Sequence, residues 1–140
     1  MSRFVIDSSV AIKWVVHEDG TAEALSLRRH RLAAPDLLVP ECANILWKKA
    51  RKGEIAPDEA RLAAGLLARA GIDLMPMGDL FERALGLALA LDHPAYDCIY
   101  IALAAEMDCG FVTADDVLAR KAAMACLATQ VIPLRLASTV

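Results

Sequence analysis

Near its amino terminus the chain reads Arg3-Phe4-Val5-Ile6-Asp7-Ser8-Ser9, and this stretch predicts the fold. Its three consecutive apolar residues are typical of a central strand that is buried on both faces of a parallel sheet. Asp7 follows them directly, and Ser8 or Ser9 can cap the helical pattern that continues through Val16. Because open α/β sheets bind ligands at the carboxyl ends of their strands, we expect Asp7 to face a functional site.

The chain has 140 residues, of which 57% are hydrophobic and 5% aromatic. This length predicts a single domain over residues 1–140, and the abundance of alanine and leucine favours packed helices over a mostly-β fold. The longest apolar runs are too short to cross a bilayer, and no sequence resembling a signal peptide opens the chain. We therefore expect a cytoplasmic protein that does not insert into a membrane.

The formal net charge is −3, so no global positive field indicates a nucleic-acid partner. Any nucleic-acid partner would therefore need local positive charge or charge supplied by metal ions. The cysteines form no CxxC pair and have no nearby histidine at ligand spacing, which argues against a zinc site and a disulfide framework. We interpret them as small buried hydrophobic residues: Cys42, Cys98, Cys109 and Cys126.

Further along the chain, apolar segments alternate with helical ones. The pattern predicts strands at residues 32–34, 72–75, 111–113 and 130–134, separated by helices that proline and glycine interrupt. Strands connected through helices pair in parallel. We therefore predict an α/β fold, a three-layer α/β/α sandwich with a central, mainly parallel sheet.

Four acidic residues occupy equivalent places in this pattern. Asp7 and Asp115 follow predicted buried strands, whereas Glu41 and Asp97 lie in the first turns of otherwise apolar helices. Strand ends and the helix starts after them face the same edge of a parallel sandwich, so these side chains can converge. Helix capping is the alternative for each acid taken alone. Capping explains Asp7 poorly, because two serines that can cap the helix follow it.

Converging carboxylates cannot all stay ionised without compensation. Like charges at short range raise one another's pKa values or bind a cation. Oxygen ligands without thiolate or imidazole suit Mg²⁺ or Mn²⁺, and such an ion with open water positions is typical of phosphodiester hydrolysis. No nucleophilic triad, Walker motif or dinucleotide motif competes with this interpretation, and we interpret His17, His30 and His93 as surface residues.

Four segments stand in order around the acids: Val5-Ile6-Asp7-Ser8-Ser9, Pro40-Glu41-Cys42-Ala43-Asn44-Ile45-Leu46, Ala95-Tyr96-Asp97-Cys98-Ile99-Tyr100-Ile101-Ala102-Leu103-Ala104 and Val112-Thr113-Ala114-Asp115. Together they resemble the PIN-domain ribonucleases, and most of all the VapC-type toxins of bacterial toxin–antitoxin pairs. The similarity runs from residue 4 to residue 134.

The resemblance implies a Mg²⁺- or Mn²⁺-dependent endoribonuclease that acts as a toxin and cleaves structured RNA such as tRNA or rRNA. It also implies a homodimer and a small cognate antitoxin whose tail occludes the site. The catalytic and metal-binding residues would be Asp7, Glu41, Asp97 and Asp115.

Other polar residues resemble the support around these acids. Ser9 and Asn44 belong to this group, and Asn44 lies one helical turn after Glu41, so it would face the same side. Asp116 directly follows Asp115. It would be either an outer ligand that assists the site or only the cap of the next helix.

Aromatic and basic residues could contact RNA. Tyr100 lies one turn after Asp97 and is the best candidate to stack on a base near the site, whereas Trp14 and Trp47 are expected in the core or a dimer contact. Two basic groups could follow an RNA backbone or could only occupy helix ends, where cations are favoured. These groups are Lys48, Lys49, Arg51 and Lys52, and Arg28, Arg29 and Arg31.

Two other functions fit parts of this pattern. A non-catalytic PIN-like module that binds RNA or protein usually lacks one of the acids, and none is missing here. A phosphotransfer receiver-like domain also gathers acids at strand ends. It needs a phosphorylatable aspartate after a middle strand and a lysine after a late one, and the segments at 72–75 and 130–134 are followed by neither.

Overall fold

The computed structural model describes residues 2–140 and is built around a sheet whose strands all run parallel. The strands are β1 (Arg3–Ile6), β2 (Arg31–Pro35), β3 (Asp73–Met75), β4 (Gly110–Thr113) and β5 (Val131–Pro133). They lie in the order β3-β2-β1-β4-β5. The predicted α/β class and the central parallel sheet are therefore confirmed.

Helices connect the strands and flank the sheet. They are α1 (Ser8–Ala11), α2 (Thr21–Ser26), α3 (Leu38–Arg51), α4 (Pro57–Ala68), α5 (Phe81–Leu91), α6 (Ala95–Glu106) and α7 (Asp116–Met124). Short 3₁₀ turns cover Ile12–Trp14, Leu27–Arg29, Gly78–Leu80 and Leu134–Thr139. Within residues 2–140, no helix combines the length and the apolar character that a membrane crossing requires.

The order of the strands sets the position of the candidate site. From β1 the chain moves outward through β2 to β3, and it then returns to the other side of β1 to form β4 and β5. The direction of winding therefore reverses between β1 and β4, where Ile6 pairs with Val112. In open parallel sheets this reversal opens a crevice at the carboxyl ends of the strands, and ligands bind there. Asp7 and Asp115 follow the two strands that border it.

Helix α6 is the most deeply buried helix of the fold and packs against β1, β2 and β4. Consecutive residues from Tyr100 to Ala104 are all buried, so this helix is apolar on every side. Helix α5 packs along it. Because the buried surface of α6 fixes this helix on the sheet, its first turn, which carries Asp97, is held at the edge where the strands have their carboxyl ends.

The prediction that all four cysteines are buried is only partly correct. Cys42 and Cys98 are buried, but Cys109 is half-buried and Cys126 is exposed. Burial raises the pKa of the Cys42 thiol to about 12 and that of Cys98 to about 11, so both behave as neutral apolar groups. Cys126 lies in the turn after α7, where its φ of 53° places it outside regular structure.

Candidate active site

Asp7 is the buried centre of the candidate site, with 5% of its surface exposed. Its Oδ1 accepts hydrogen bonds from the Ser9 hydroxyl (2.5 Å) and the Val10 amide (3.2 Å). Its Oδ2 accepts one from the Thr113 hydroxyl at the end of β4 (2.5 Å). Burial raises the pKa of Asp7 from 3.8 to about 6, although these bonds act in the opposite direction, and the charge of Asp97 adds to the rise.

Ser9 and Thr113 tie the ends of β1 and β4 together. Ser9 Oγ accepts from the amide of Ala114 at 3.1 Å, and Thr113 Oγ1 accepts from the amide of Asp115, also at 3.1 Å. Ser9 therefore lies where the sequence predicts it, beside Asp7. Thr113 was not singled out from the sequence, although a hydroxyl at the end of an otherwise apolar strand is a signal for such a role.

Asp115 serves both as a helix cap and as a member of the site. It is the N-cap of α7, where its Oδ1 accepts from the Leu118 amide at 3.1 Å. Its Oδ2 lies 3.8 Å from His93 Nε2. Capping and convergence are therefore not alternatives, because a carboxylate has two oxygens that can point in different directions.

Asp7 makes the same double use of its carboxylate. It is itself the N-cap of α1, so the expectation that Ser8 or Ser9 caps this helix was wrong. The following acid, Asp116, does not cap α7. It is the first residue of that helix, is exposed, and its Oδ1 lies 3.5 Å from Arg135 Nε.

Glu41 enters the site from the first turn of α3. Its Oε1 accepts hydrogen bonds from the Tyr100 hydroxyl (2.5 Å) and from the Ser8 hydroxyl (3.3 Å). Asn44 is exposed on α3 and is not among the hydrogen-bond partners of Glu41 in the described chain. Its supporting role stays a prediction.

Tyr100 is fully buried, so the prediction that it stacks on an RNA base was wrong. Its ring stacks on Phe111, with 5.7 Å between centroids and 15° between planes. Burial raises its pKa above the ordinary range, and the hydrogen bond to Glu41 raises it further. The phenol therefore stays protonated and works as a fixed donor to Glu41. Tyr96, in the first turn of α6, is the exposed aromatic residue next to Asp97.

His93 joins Asp97 and Asp115 in a compact group. One possible ligand atom from each of these three residues lies within 4.8 Å of the others. His93 Nε2 is 2.8 Å from Asp97 Oδ2, and only 8% of the His93 side chain is exposed. The interpretation of His93 as a surface residue was therefore wrong. Its spacing of four residues from Asp97 was the available signal, but the proline that follows it indicated only a helix break.

The two basic groups lie away from these acids. Arg31 begins β2 and is paired with Arg3 at the start of β1, so the group at residues 28–31 is at the amino edge of the sheet. The group at residues 48–52 ends α3, about 10 to 16 Å along the helix from Glu41. Arg51 lies over the exposed ring of Trp47, with 5.4 Å to its centroid. Neither group therefore adjoins the acids that the sequence predicts to be catalytic.

The other tryptophan is half-buried. Trp14 Nε1 donates to the carbonyl of Ala24 at 2.8 Å, and Arg28 lies over the indole at 4.7 Å. This residue supports the packing of α2, as expected for a core position, whereas 54% of the Trp47 surface is exposed.

The donor set at this edge fits a hard divalent cation. Asp97 and Asp115 each bring a carboxylate oxygen to the compact group with His93, and the charge of Asp97 raises the pKa of Asp7. The charges of Glu41 and Asp7 both raise the pKa of Tyr100, which lies beside Glu41. Mutual repulsion of this kind is relieved by a bound cation, and oxygen donors favour Mg²⁺ or Mn²⁺. These residues could therefore hold a metal ion and present it to a phosphate group.

We predict that Asp7→Asn stabilises the metal-free protein at neutral pH. The folded state raises the pKa of Asp7 from 3.8 to about 6, so between pH 4 and 6 it binds more protons than the unfolded state. The free energy of unfolding therefore falls as pH rises through that window, by about 3 kcal/mol in all. Asparagine avoids this loss and still caps α1. The gain should be near zero at pH 4 and full at pH 7, measured by denaturant unfolding in EDTA.

Asp116→Asn is the matched control, because Asp116 is exposed at the same edge of the sheet. Its effect should stay within about 0.5 kcal/mol at both pH values. An Asp7→Asn gain that is equal at pH 4 and pH 7 would contradict the pKa of Asp7 as the cause.

We also predict that Tyr100 does not ionise while the protein is folded. The chain has two tyrosines, so the Tyr96→Phe variant reports on Tyr100 alone. Its ultraviolet absorbance should show no phenolate on alkaline titration until the protein unfolds. In guanidinium the same variant should titrate near the ordinary phenol pKa of about 10. Phenolate absorbance in the folded variant near that pH would show that Tyr100 is not held as described.

The sequence is similar to proteins of a known family. Residues 4–124 match the family model for the PIN domain. A VapC ribonuclease of Mycobacterium bovis is 33% identical over 111 residues, which are 79% of this chain and 84% of the relative. Ribonuclease VapC3 of Pyrobaculum aerophilum is 31% identical over 123 residues, covering 85% and 94% of the two chains.

Solved structures show the same fold. The crystal structure of PAE2754 from Pyrobaculum aerophilum superposes with a TM-score of 0.74 over 99% of this chain and 88% of that one, at 21% identity. VapC20 of Mycobacterium tuberculosis, described as a toxin that cleaves the sarcin–ricin loop, gives a TM-score of 0.64 at 14% identity, covering 84% and 94%. On the match over residues 4–124 and the identity to these relatives, the chain belongs to the PIN-domain family.

Proposed function

We propose that this chain is an endoribonuclease that depends on Mg²⁺ or Mn²⁺, cleaves structured RNA such as tRNA or rRNA, and acts in the cytoplasm as the toxin of a toxin–antitoxin pair. Residues 1–140 would form one nuclease domain. The observation that carries the proposal is the meeting of Asp7, Asp97 and Asp115 at the crevice between β1 and β4. Identity of about a third to curated VapC ribonucleases supports the same activity.

In this proposal, Asp7, Glu41, Asp97 and Asp115 hold the ion. When bound, the ion would activate a water molecule and offset the charge that develops on the phosphate. Asp97 and Asp115 are half-buried, with 34% and 36% of their side chains exposed, so they face the opening through which RNA arrives. Asp7 is fixed below them and cannot turn away, because hydrogen bonds hold both of its oxygens.

Glu41 would contribute from the first turn of α3. Its Oε1 is held by the buried Tyr100 hydroxyl, and this bond leaves Oε2 to face a cation. Fixed ligands of this kind lower the reorganisation that binding a metal and a phosphate requires. Ser9 would support Asp7 through its short hydrogen bond. Asn44 and Asp116 are exposed, where they could contact RNA or an outer water of the ion.

We predict that Asp97→Asn abolishes RNA cleavage while the chain stays folded. Loss of one carboxylate ligand removes several kcal/mol of charge stabilisation, or about a thousand-fold in rate. The measurement is cleavage of total tRNA and of ribosomal RNA by the purified chain with Mg²⁺ or Mn²⁺, repeated in EDTA. EDTA should stop cleavage by the unchanged protein.

Asp58→Asn is the control, since Asp58 is an exposed acid at the start of α4 that pairs only with Arg61 among the described residues. This variant should cleave at the unchanged rate. Cleavage that persists in EDTA and in Asp97→Asn would refute the metal-dependent mechanism. A chain that binds Mn²⁺ and RNA but cleaves neither tRNA nor ribosomal RNA would instead be the non-catalytic PIN-like module.

Two apolar surfaces support the proposed protein partners. Helix α5 exposes Phe81, Leu85 and Leu89, which recur every fourth residue and so form one stripe; their exposed fractions are 73%, 47% and 76%. An unbroken stripe of this kind on a surface helix is typical of a contact between protein chains. We assign it to a second copy, as the homodimer requires.

The second surface is an apolar groove of about 190 Å³ between α3, α4 and β3. Its lining includes Leu38 and Cys42, from the same first turns of α3 that carry Glu41, although none of the four acids lines the groove itself. A peptide segment that lies in this groove would have to continue past the first turn of α3 to cover the acids. We therefore assign the groove to the small antitoxin, whose tail would occlude the site.

We predict that Leu85→Glu and Leu74→Glu have different effects on assembly. Leu85 lies on the α5 stripe, so a charge there should convert the dimer to a monomer in sedimentation velocity. Leu74 lines the groove and is 46% exposed, so a charge there should weaken antitoxin binding and leave the dimer intact. Each variant is the control for the other. A Leu85→Glu protein that remains dimeric would rule out the stripe as the dimer contact.

A further inference from the structure

His93 is a buried imidazole at the site that the four-acid set does not include. It lies between α5 and α6, and its Nε2 is 2.8 Å from Asp97 Oδ2 and 3.8 Å from Asp115 Oδ2. Its other ring nitrogen, Nδ1, lies 3.4 Å from the Lys121 Nζ on α7. Both ring nitrogens therefore have polar partners, and the chemistry of those partners fixes what each nitrogen does.

We propose that Lys121 and His93 are positioning residues for Asp97. Lys121 holds the His93 ring with its hydrogen on Nε2, and that hydrogen binds Asp97 Oδ2, so Oδ1 of Asp97 is left to face the cation. The expected effect on metal binding rests on the proposed function, because the orientation of Asp97 matters only if Asp97 binds a metal. The arrangement of the ring in the metal-free protein is independent of that function.

The tautomer follows from the partners of the ring. A lysine ammonium carries three donors and no acceptor, so the Nδ1 that faces Lys121 must accept a hydrogen bond. A neutral imidazole has one hydrogen, which then lies on Nε2. The Nε2–H group points at the Asp97 carboxylate, which accepts it. Each partner therefore favours the same tautomer.

The turn before α6 is built to aim this ring inward. Asp92 ends α5 in the left-handed region, with φ 50° and ψ 57°, and the reversal directs His93 toward the site. The Asp92 carbonyl accepts from Lys121 Nζ at 2.7 Å, and the His93 amide donates to the Ala88 carbonyl at 3.2 Å. Lys121 thus binds both the backbone of the turn and the ring that the turn carries.

Lys121 also couples Asp97 to Asp115. Asp115 caps α7, and Lys121 projects from the same helix one and a half turns later. A shift of α7 therefore moves Asp115 directly and moves Asp97 through Lys121 and His93. Hydrogen-bond partners behind metal ligands commonly set ligand orientation, and their loss costs about 10- to 100-fold in metal affinity.

The competing role for His93 is that of a direct metal ligand. In that role Nε2 gives its lone pair to the ion, and the hydrogen must lie on Nδ1. That hydrogen would point at the Lys121 ammonium, which cannot accept it. The two roles therefore require opposite tautomers, and a measurement of the tautomer separates them.

The first test is nuclear magnetic resonance of the protein with ¹⁵N-labelled histidine, in EDTA and then in excess Mg²⁺. We expect His93 to carry its hydrogen on Nε2 in both samples. In Lys121→Met the Nδ1 resonance should shift, because Nδ1 loses its donor, whereas Arg120→Met, an exposed neighbour on α7, should leave it in place. A hydrogen on Nδ1, or loss of the Nε2 hydrogen when Mg²⁺ is added, would overturn the proposal.

The second test is calorimetric titration of the purified chain with Mn²⁺. We expect His93→Ala to weaken binding about 10- to 100-fold, and His93→Gln to recover most of the loss, because its amide can donate from near the Nε2 position. Unchanged or tighter binding in His93→Ala would also overturn the proposal. If Mn²⁺ does not bind the unchanged chain, the proposed function fails instead, and the tautomer in EDTA still decides the role of Lys121.

Discussion

The site depends on the burial of one carboxylate between two strands. Asp7 lies at the point where the parallel sheet reverses its winding, and its two oxygens are hydrogen-bonded to the start of α1 and to the end of β4. Burial of Asp7 raises the pKa of its carboxyl group, and hydrogen bonds from Ser9 and Thr113 partly offset this rise. A buried charge held in this way is costly for a fold by itself. In the proposed function, a cation bound beside Asp7 would offset this cost, so the position favours metal binding over the stability of the metal-free fold.

The acids around Asp7 serve the fold and the site with different oxygens. Asp115 caps α7 with Oδ1 and turns Oδ2 toward His93, and Asp7 caps α1 in a comparable way. Helix starts lie directly after the strand ends in this architecture, so a capping residue is at the crevice without further adjustment. Because the cap fixes the backbone and one oxygen, the other oxygen is oriented before any ligand arrives.

Hydrogen-bonding groups behind two of the acids complete the arrangement. Tyr100 donates to Glu41 from the core, and His93 lies against Asp97 from the turn between two helices. The protonated Tyr100 adds no charge at the site, so Glu41 keeps its attraction for a metal ion. Asp97 and Tyr100 both belong to α6, and this helix packs against β1 and β4, the strands that Asp7 and Asp115 follow.

The sequence by itself determined the class of fold and the general position of the site. The apolar runs at β1 and β4 and the acids that follow them are local patterns. Such patterns predict where a strand ends, which residue caps the next helix, and at which edge of the sheet that residue lies. The relative placement of side chains was decided only by the tertiary structure. Burial of Tyr100 against Phe111, exposure of Cys126, the Asp7 cap and the inward turn of His93 all depend on contacts between residues far apart in the chain. No periodicity or motif within one segment encodes such contacts, because their energy comes from packing between segments.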